Sequence, residues 1–380
     1  MADGILGSYF AASFLLLALR NGDPMRIAMA AAGELVSSAA AGARGFEKSK
    51  RLRPLVEALA DDTGDIDVRA AVRTMSGVMY WFAGDWKRTS DYCQEALQLF
   101  RESSTALGWD RSTASIFWLS GLCLRGDWLR LGEQLPRLIE DAEERGDRYG
   151  EVGLRLMTYS YVVHLASDQP GRASTEIDGA EHRWRFAGAD AFHVQHCDAL
   201  FGRVDVALYE GKASQALQLI RDGWRRLQQS LLLHFQVTRV FAHALRARAA
   251  LAACGSHPEG SRPHAELLGA ARRDIRRIER EQLAWSSGWV SLLRAGLTAE
   301  QGDRRAALGH LHEADGRLED AHMPQFRAAA QYWTTVIRGG RPDAALVGSW
   351  WGSQQIANPG RLARMLAPGG WTRLSAINGQ

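Results

Sequence analysis

The sequence predicts an all-α protein, an α-solenoid of helix–turn–helix repeats with a unit of about 42 residues. Three observations lead to this prediction. Gly-Asp pairs recur at a near-constant spacing, and apolar residues between them recur at the spacing of one helix face. No stretch alternates convincingly between apolar and polar residues, as a strand would. A fixed period of about 20 to 50 residues is typical of solenoids.

Gly-Asp pairs mark the predicted turns. The six pairs are Gly22-Asp23, Gly64-Asp65, Gly84-Asp85, Gly126-Asp127, Gly146-Asp147 and Gly302-Asp303. Gly22 and Gly64 are 42 residues apart, as are Gly84 and Gly126, and a spacing of 20 is nested between Gly64 and Gly84. Glycine closes a helix C-terminus in the left-handed conformation, and aspartate caps the next N-terminus. Each pair is therefore expected to end one helix and begin the next.

The first predicted helix covers the apolar-rich residues 5–19 and ends at Asn21-Gly22. The stretch is too short to span a bilayer. Residues 1–4 carry none of the basic side chains that open a signal peptide. We therefore expect a buried first helix and no membrane contact.

Apolar stripes predict the helices that follow. The stripes are Val68, Ala71, Val72, Met75, Met79, Phe82; then Trp86, Cys93, Ala96, Leu97, Phe100; then Leu131, Leu135, Leu138, Ile139, Ala142; then Ala213, Ala216, Leu217, Ile220, Trp224, Leu227; then Ala307, Leu311, Ala314, Leu318. Each set lines one face of a helix. Only residues 39–50 and 255–263 are predicted as longer loops, because glycine, alanine, lysine, serine or proline dominates them.

The repeats are expected to occupy residues 1–340 as seven to eight helix pairs. Residues 341–380 are predicted to form a C-terminal helical cap and tail, in which Trp350-Trp351 covers the last repeat, since terminal repeats need a cap. Within one unit, small and aromatic residues lie where a tetratricopeptide-like repeat has them: Gly77, Tyr80, Gly84, Trp86, Ala96. The array is therefore interpreted as tetratricopeptide-like, with units longer than the 34-residue consensus.

Several short motifs follow one another along nearly the whole chain. They are Gly84-Asp85-Trp86, Leu135-Pro136-Arg137-Leu138-Ile139, Phe192-His193-Val194-Gln195-His196, Ser230-Leu231-Leu232-Leu233, Leu293-Arg294-Ala295-Gly296-Leu297 and Gln355-Ile356-Ala357-Asn358-Pro359-Gly360-Arg361. In this order they resemble the helical C-terminal region of large multidomain bacterial serine/threonine protein kinases. In that family a kinase domain and a STAND-type ATPase precede a long tetratricopeptide-like tail. The resemblance implies a regulatory tail that senses or binds something for those domains.

Catalytic motifs are missing from this sequence. It contains no phosphate-binding GxxxxGK[ST] or GxGxxG loop, no kinase HRD or DFG, no GxSxG elbow and no HExxH. We therefore predict no enzymatic activity and no cofactor in this chain. The one cluster of metal-ligand types is His193, His196 and Cys197, which helical spacing would place on one face. A helix–helix contact is the favoured interpretation, because a fourth ligand is missing.

The composition indicates which class of partner is excluded and which compartment the protein occupies. Forty-six Lys and Arg against 43 Asp and Glu give a net charge of +3, which predicts no nucleic-acid binding. The basic run at residues 271–281 is interpreted as a self-paired, solvated helix face rather than a phosphate patch. Four cysteines without a CxxC spacing indicate a reducing compartment, the cytoplasm.

The predicted function is a noncatalytic interaction or sensing scaffold in bacterial signal transduction. Its partner would be a protein or peptide docked on the concave side, and the kinase or ATPase domains of the same parent protein are candidates. Tyr80, Trp81, Trp118 and Arg276 are candidate partner-binding residues, because aromatic and arginine side chains anchor interfaces. Two alternatives stay open. One is the inducer-binding helical arm of a LuxR/MalT-like STAND transcription activator, and the other is an α-helical metal protein or enzyme.

Overall fold

A computed structural model describes residues 4–103, 108–184, 192–341 and 348–375. Its helices are α1 Gly4–Asn21, α2 Pro24–Ala40, α3 Ala43–Asp62, α4 Ile66–Ala83, α5 Trp86–Glu102, α6 Gly108–Leu124, α7 Trp128–Glu144, α8 Arg148–Leu156, α9 Tyr161–Ala166, α10 Pro170–Arg183, α11 Val194–Tyr209, α12 Ala213–Gln229, α13 Gln236–Cys254, α14 Arg262–Arg280, α15 Ser287–Glu300, α16 Arg304–Asp320, α17 Pro324–Ile337, α18 Trp350–Ser353, α19 Pro359–Leu366 and α20 Trp371–Ser375. No strand occurs in these ranges, and the all-α prediction is confirmed.

The helices form two rows. The inner row consists of α2, α4, α6, α8, α11, α13 and α15, which pack side by side in that order. The helices of the outer row bridge neighbouring inner helices, as α5 bridges α4 and α6, and α14 bridges α13 and α15. Consecutive helix pairs therefore stack as in an α-solenoid.

Helices α6 and α7 show how the two rows differ in burial. Inner helix α6 buries 13 of its 17 residues, including its serines and Gly121. Outer helix α7 has the same length and buries only Trp128, Leu131, Ile139 and Ala142. A helix that is apolar or small all round must be enclosed, whereas one apolar stripe suffices for a surface helix. For these two helices the sequence pattern thus distinguishes the inner row from the outer row.

The Gly-Asp turns have the predicted geometry. All six glycines have φ between +65° and +77°. The carboxylates of Asp23, Asp65, Asp85, Asp147 and Asp303 accept hydrogen bonds from the first free amides of the following helices. Asp127 also occupies an N-cap position, but its side chain makes no cap hydrogen bond. One dipeptide therefore ends and starts a helix at each of these turns, as predicted.

The predicted loop at residues 39–50 is wrong. Helix α2 continues to Ala40 and α3 begins at Ala43, so only two residues separate them. Gly45 lies inside α3, where a Cβ atom would be 1.9 Å from the carbonyl oxygen of Ser38. This glycine permits a close helix–helix approach instead of giving flexibility. The second predicted loop is confirmed, because the chain is nonhelical between Cys254 and Arg262.

The C-terminal segment, residues 348–375, lies on α17 and also reaches the first half of the chain. Trp351 contacts Tyr332 of α17, with ring centroids 6.3 Å apart. Trp350 donates from Nε1 to the carbonyl oxygen of Gly126 at 2.8 Å. The Ala357 amide donates to the carbonyl oxygen of Ala166, also at 2.8 Å. The array is therefore joined to itself across about 200 residues of sequence.

Trp285 makes a second contact between distant repeats. Its indole lies over Gly84, where a Cβ atom would be 2.1 Å from Cδ1 of Trp285. The rings of Trp285 and Trp86 meet edge to face, with centroids 5.3 Å apart. Gly84 therefore allows both the left-handed turn and the close contact with the Trp285 indole.

We expect Gly84→Ala to destabilise the fold more than Gly302→Ala. Both glycines are left-handed, with φ of +77° and +75°, so both substitutions carry a strain of about 1–2 kcal/mol. Only Gly84→Ala also displaces Trp285, which raises its expected cost to about 3 kcal/mol. Thermal unfolding by circular dichroism measures the difference. Equal losses in the two variants would contradict the close approach of Trp285.

Candidate functional site

The side chains of the predicted metal cluster lie at the start of α11. The His193 amide donates to His196 Nδ1 at 3.0 Å, and Trp184 Nε1 donates to His193 Nδ1 at 3.2 Å. Cys197 is buried, and burial raises the pKa of its thiol well above the ordinary value. Within the described ranges, no three His, Cys, Asp or Glu side chains converge as metal ligands.

The four candidate partner-binding residues do not form one surface. Tyr80 and Trp118 are buried, with exposed fractions of 3% and 5%. Trp81 is half-buried and packs edge to face on Phe117. Arg276 is exposed on α14. Tyr80 and Trp118 are thus core residues that hold repeats together.

The basic run on α14 surrounds a buried carboxylate. Asp274 is 1% exposed and accepts hydrogen bonds from Arg246 Nε at 2.7 Å and from the His243 ring at 2.9 Å. Arg277 adds an ion pair at 3.3 Å. Burial alone would raise the pKa of Asp274, but the hydrogen bonds from Arg246 and His243 outweigh it and lower the pKa. This cluster ties α14 to α13.

A cavity of about 100 Å³ lies at the centre of the array. Side chains from α6, α7, α9, α11, α13, α15, α17 and α19 surround it. Aromatic rings form much of its wall. Phe241 packs on Trp289, with ring centroids 5.2 Å apart, and Trp289 packs on Phe326 at 5.0 Å. Because eight helices between α6 and α19 contribute to the wall, the cavity depends on the packing of that part of the array.

One ion pair lies in this apolar wall. Arg248 of α13 donates to one carboxylate oxygen of Asp205 of α11, and the Tyr161 hydroxyl donates to the other at 2.8 Å. The side chains of Asp205 and Arg248 are 13% and 10% exposed. Burial and the neighbouring Asp205 raise the pKa of Tyr161 well above its ordinary value, so the hydroxyl stays a donor. Three polar atoms of wall residues are buried without a hydrogen-bond partner among the described residues: the donors Arg248 Nε and Trp289 Nε1 and the acceptor Gln325 Oε1.

The cavity and its ion pair were not predicted from the sequence. Arg248 lies in an alanine-rich stretch of α13, and Asp205 lies between valines of α11. A charged residue inside the apolar pattern of an inner helix was the available signal, because such a residue needs a buried partner.

Helix α1 exposes a large apolar surface, so the prediction of a buried first helix is wrong. Six of the eleven exposed large apolar side chains that the structure describes lie on α1: Tyr9, Phe10, Phe14, Leu16, Leu17, Leu19. These six residues are called the α1 face below. Ala18 is buried, and α2 is the main neighbour of α1. None of the helices, as far as they are described, is long and apolar enough to cross a membrane.

Comparisons with models of protein families and with curated protein sequences find no match to this chain.

We expect Asp110→Asn to stabilise the protein at pH 8 but not at pH 4. Burial, with a smaller contribution from Asp67, raises the pKa of Asp110 from 3.8 to about 6. The folded state then holds a proton that the unfolded state releases, so stability falls as the pH rises through this window. The asparagine variant avoids that loss, worth about 2–3 kcal/mol above pH 6. Urea unfolding of both proteins between pH 4 and 8 measures it. A difference that does not vary with pH would contradict the raised pKa.

Proposed function

We propose that this chain is a noncatalytic helical-repeat module that binds and regulates a protein partner through the α1 face. The exposure of Phe10 and Leu17, 60% and 62%, is the observation that carries the proposal. Contiguous exposed apolar side chains mark interaction sites, whereas scattered ones are ordinary.

The interior of the array is a poor site for a peptide. Helix α11 buries 12 of its 16 residues and α15 buries 11 of its 14. The C-terminal segment packs against the inner helices, since α19 contacts α11 and α20 contacts α15. Little of the inner row is left for a partner. The docking expected on the concave side is therefore proposed for the α1 face instead.

The resemblance to kinase–ATPase tails supports the choice of partner. Docking of a kinase or ATPase domain against α1 would bury the apolar side chains of the α1 face. A reducing, cytoplasmic setting agrees with the four cysteines, which are all free and buried.

The test uses Leu17→Glu with Leu55→Glu as its control. Leu17 lies in the α1 face, while Leu55 is 69% exposed on α3 and outside that face. The DNA upstream of the Met1 codon is read in frame, and any kinase or ATPase domain encoded there or in a neighbouring gene is purified. Titration calorimetry then measures its affinity for the wild-type chain and the two variants.

We expect Leu17→Glu to weaken binding at least tenfold, because about 1.5–3 kcal/mol of leucine burial is lost and a charge is buried. Leu55→Glu should bind within twofold of the wild type. The proposal is refuted if no such domain binds, or if Leu17→Glu binds as tightly as Leu55→Glu. Unchanged circular dichroism spectra confirm that both variants fold.

A further inference from the structure

We propose that the central cavity is a binding site for one neutral small molecule with a single ring or a short aliphatic chain and one hydroxyl group. This inference goes beyond the interaction function and does not depend on it. It rests on the size of the cavity, the charge balance of its wall and three buried polar atoms of wall residues.

The volume limits the ligand to a few heavy atoms. A dry cavity of about 150 Å³ in a protein core takes up benzene, and this cavity measures about 100 Å³. Pockets for drug-sized ligands and cofactors are several times larger. A nucleotide, a sugar chain or a peptide therefore does not fit, whereas a single ring or a chain of comparable size does after small side-chain movements.

The charge of the wall favours a neutral ligand. The charges of Asp205 and Arg248 cancel in one hydrogen-bonded pair, and Tyr161 remains protonated beside them. A charged ligand would enter an apolar space in which both possible counter-charges are already paired. Its desolvation would then be uncompensated.

Three buried polar atoms of wall residues define the polar part of the ligand. The donors Arg248 Nε and Trp289 Nε1 have no acceptor in the described part of the chain, and the acceptor Gln325 Oε1 has no donor there. A buried polar group without a partner costs free energy that a hydrogen bond recovers. One hydroxyl group, as in a phenol or an alcohol, can accept from a donor and donate to Gln325 Oε1 while the carbon body contacts Phe241 and Phe326.

The test measures the binding of three fluorinated probes to the full chain at pH 7 by ¹⁹F NMR. The probes are 4-fluorophenol, fluorobenzene and 4-fluorobenzoate, which share one ring and differ in oxygen and charge. We expect saturable binding of 4-fluorophenol, at least tenfold weaker binding of fluorobenzene, and no saturable binding of 4-fluorobenzoate.

Variants locate the site. Ala244→Leu places three carbons in the cavity, whereas Ala252→Leu enlarges a half-buried residue of the same helix that does not line it. We expect the first to weaken 4-fluorophenol binding at least tenfold without lowering Tm, and the second to leave it unchanged. If Ala244→Leu lowers Tm, Cys123→Met fills the same cavity from α6. Trp289→Phe should bring the affinities for 4-fluorophenol and fluorobenzene within threefold of each other.

The inference is overturned if no neutral probe binds saturably, which would make the cavity a packing void only. It is also overturned if 4-fluorobenzoate binds best, or if both cavity-filling variants bind like the wild type. None of these measurements involves a protein partner, so their failure leaves the function of the α1 face untouched.

Discussion

The contacts that join the C-terminal segment to the first half of the chain determine the rest of the architecture. Trp350 donates to the Gly126 carbonyl oxygen and the Ala357 amide donates to that of Ala166. Beside the segment, Gln325 of α17 donates to the Leu124 carbonyl oxygen at 2.9 Å. An open solenoid would present its inner helices to water. Here those helices are enclosed, so serines, glycines and large apolar residues occupy nearly their whole circumference. Enclosure also creates the central cavity, because eight helices surround this space without filling it.

The same closure makes the two ends of the array unequal. At the C-terminal end, Trp371 stacks on Trp333 of α17, with ring centroids 5.3 Å apart, and covers the last helices. At the other end α1 has α2 as its main neighbour and exposes Phe10, Leu17 and other large side chains. The proposed partner would cover these side chains.

Local signals predicted the helices and turns well, because their physics is local. A glycine in the left-handed conformation followed by a capping aspartate leaves a visible pair such as Gly84-Asp85, and one apolar stripe defines an outer helix. The closure of the array, by contrast, depends on contacts between residues that are far apart in the sequence. Gln354 accepts from the Leu129 amide across 225 residues, and a contact between single residues at that distance leaves no periodic trace. For the same reason Trp285, Trp350, Asp205 and Arg248 could be seen as residues, but their partners could not. The loop predicted at residues 39–50 is wrong because Gly45, inside α3, allows α2 and α3 to pack closely.

Hydrogen–deuterium exchange of the C-terminal segment tests the closed architecture most directly. The amide of Ala357 has its acceptor in Ala166, in the first half of the chain. If the array is closed, this amide and those of α19 exchange slowly, with protection factors within about tenfold of those in the core of α11, which α19 contacts. Exchange of the segment at the rate of an unstructured chain, with α11 still protected, would contradict the enclosure of the interior.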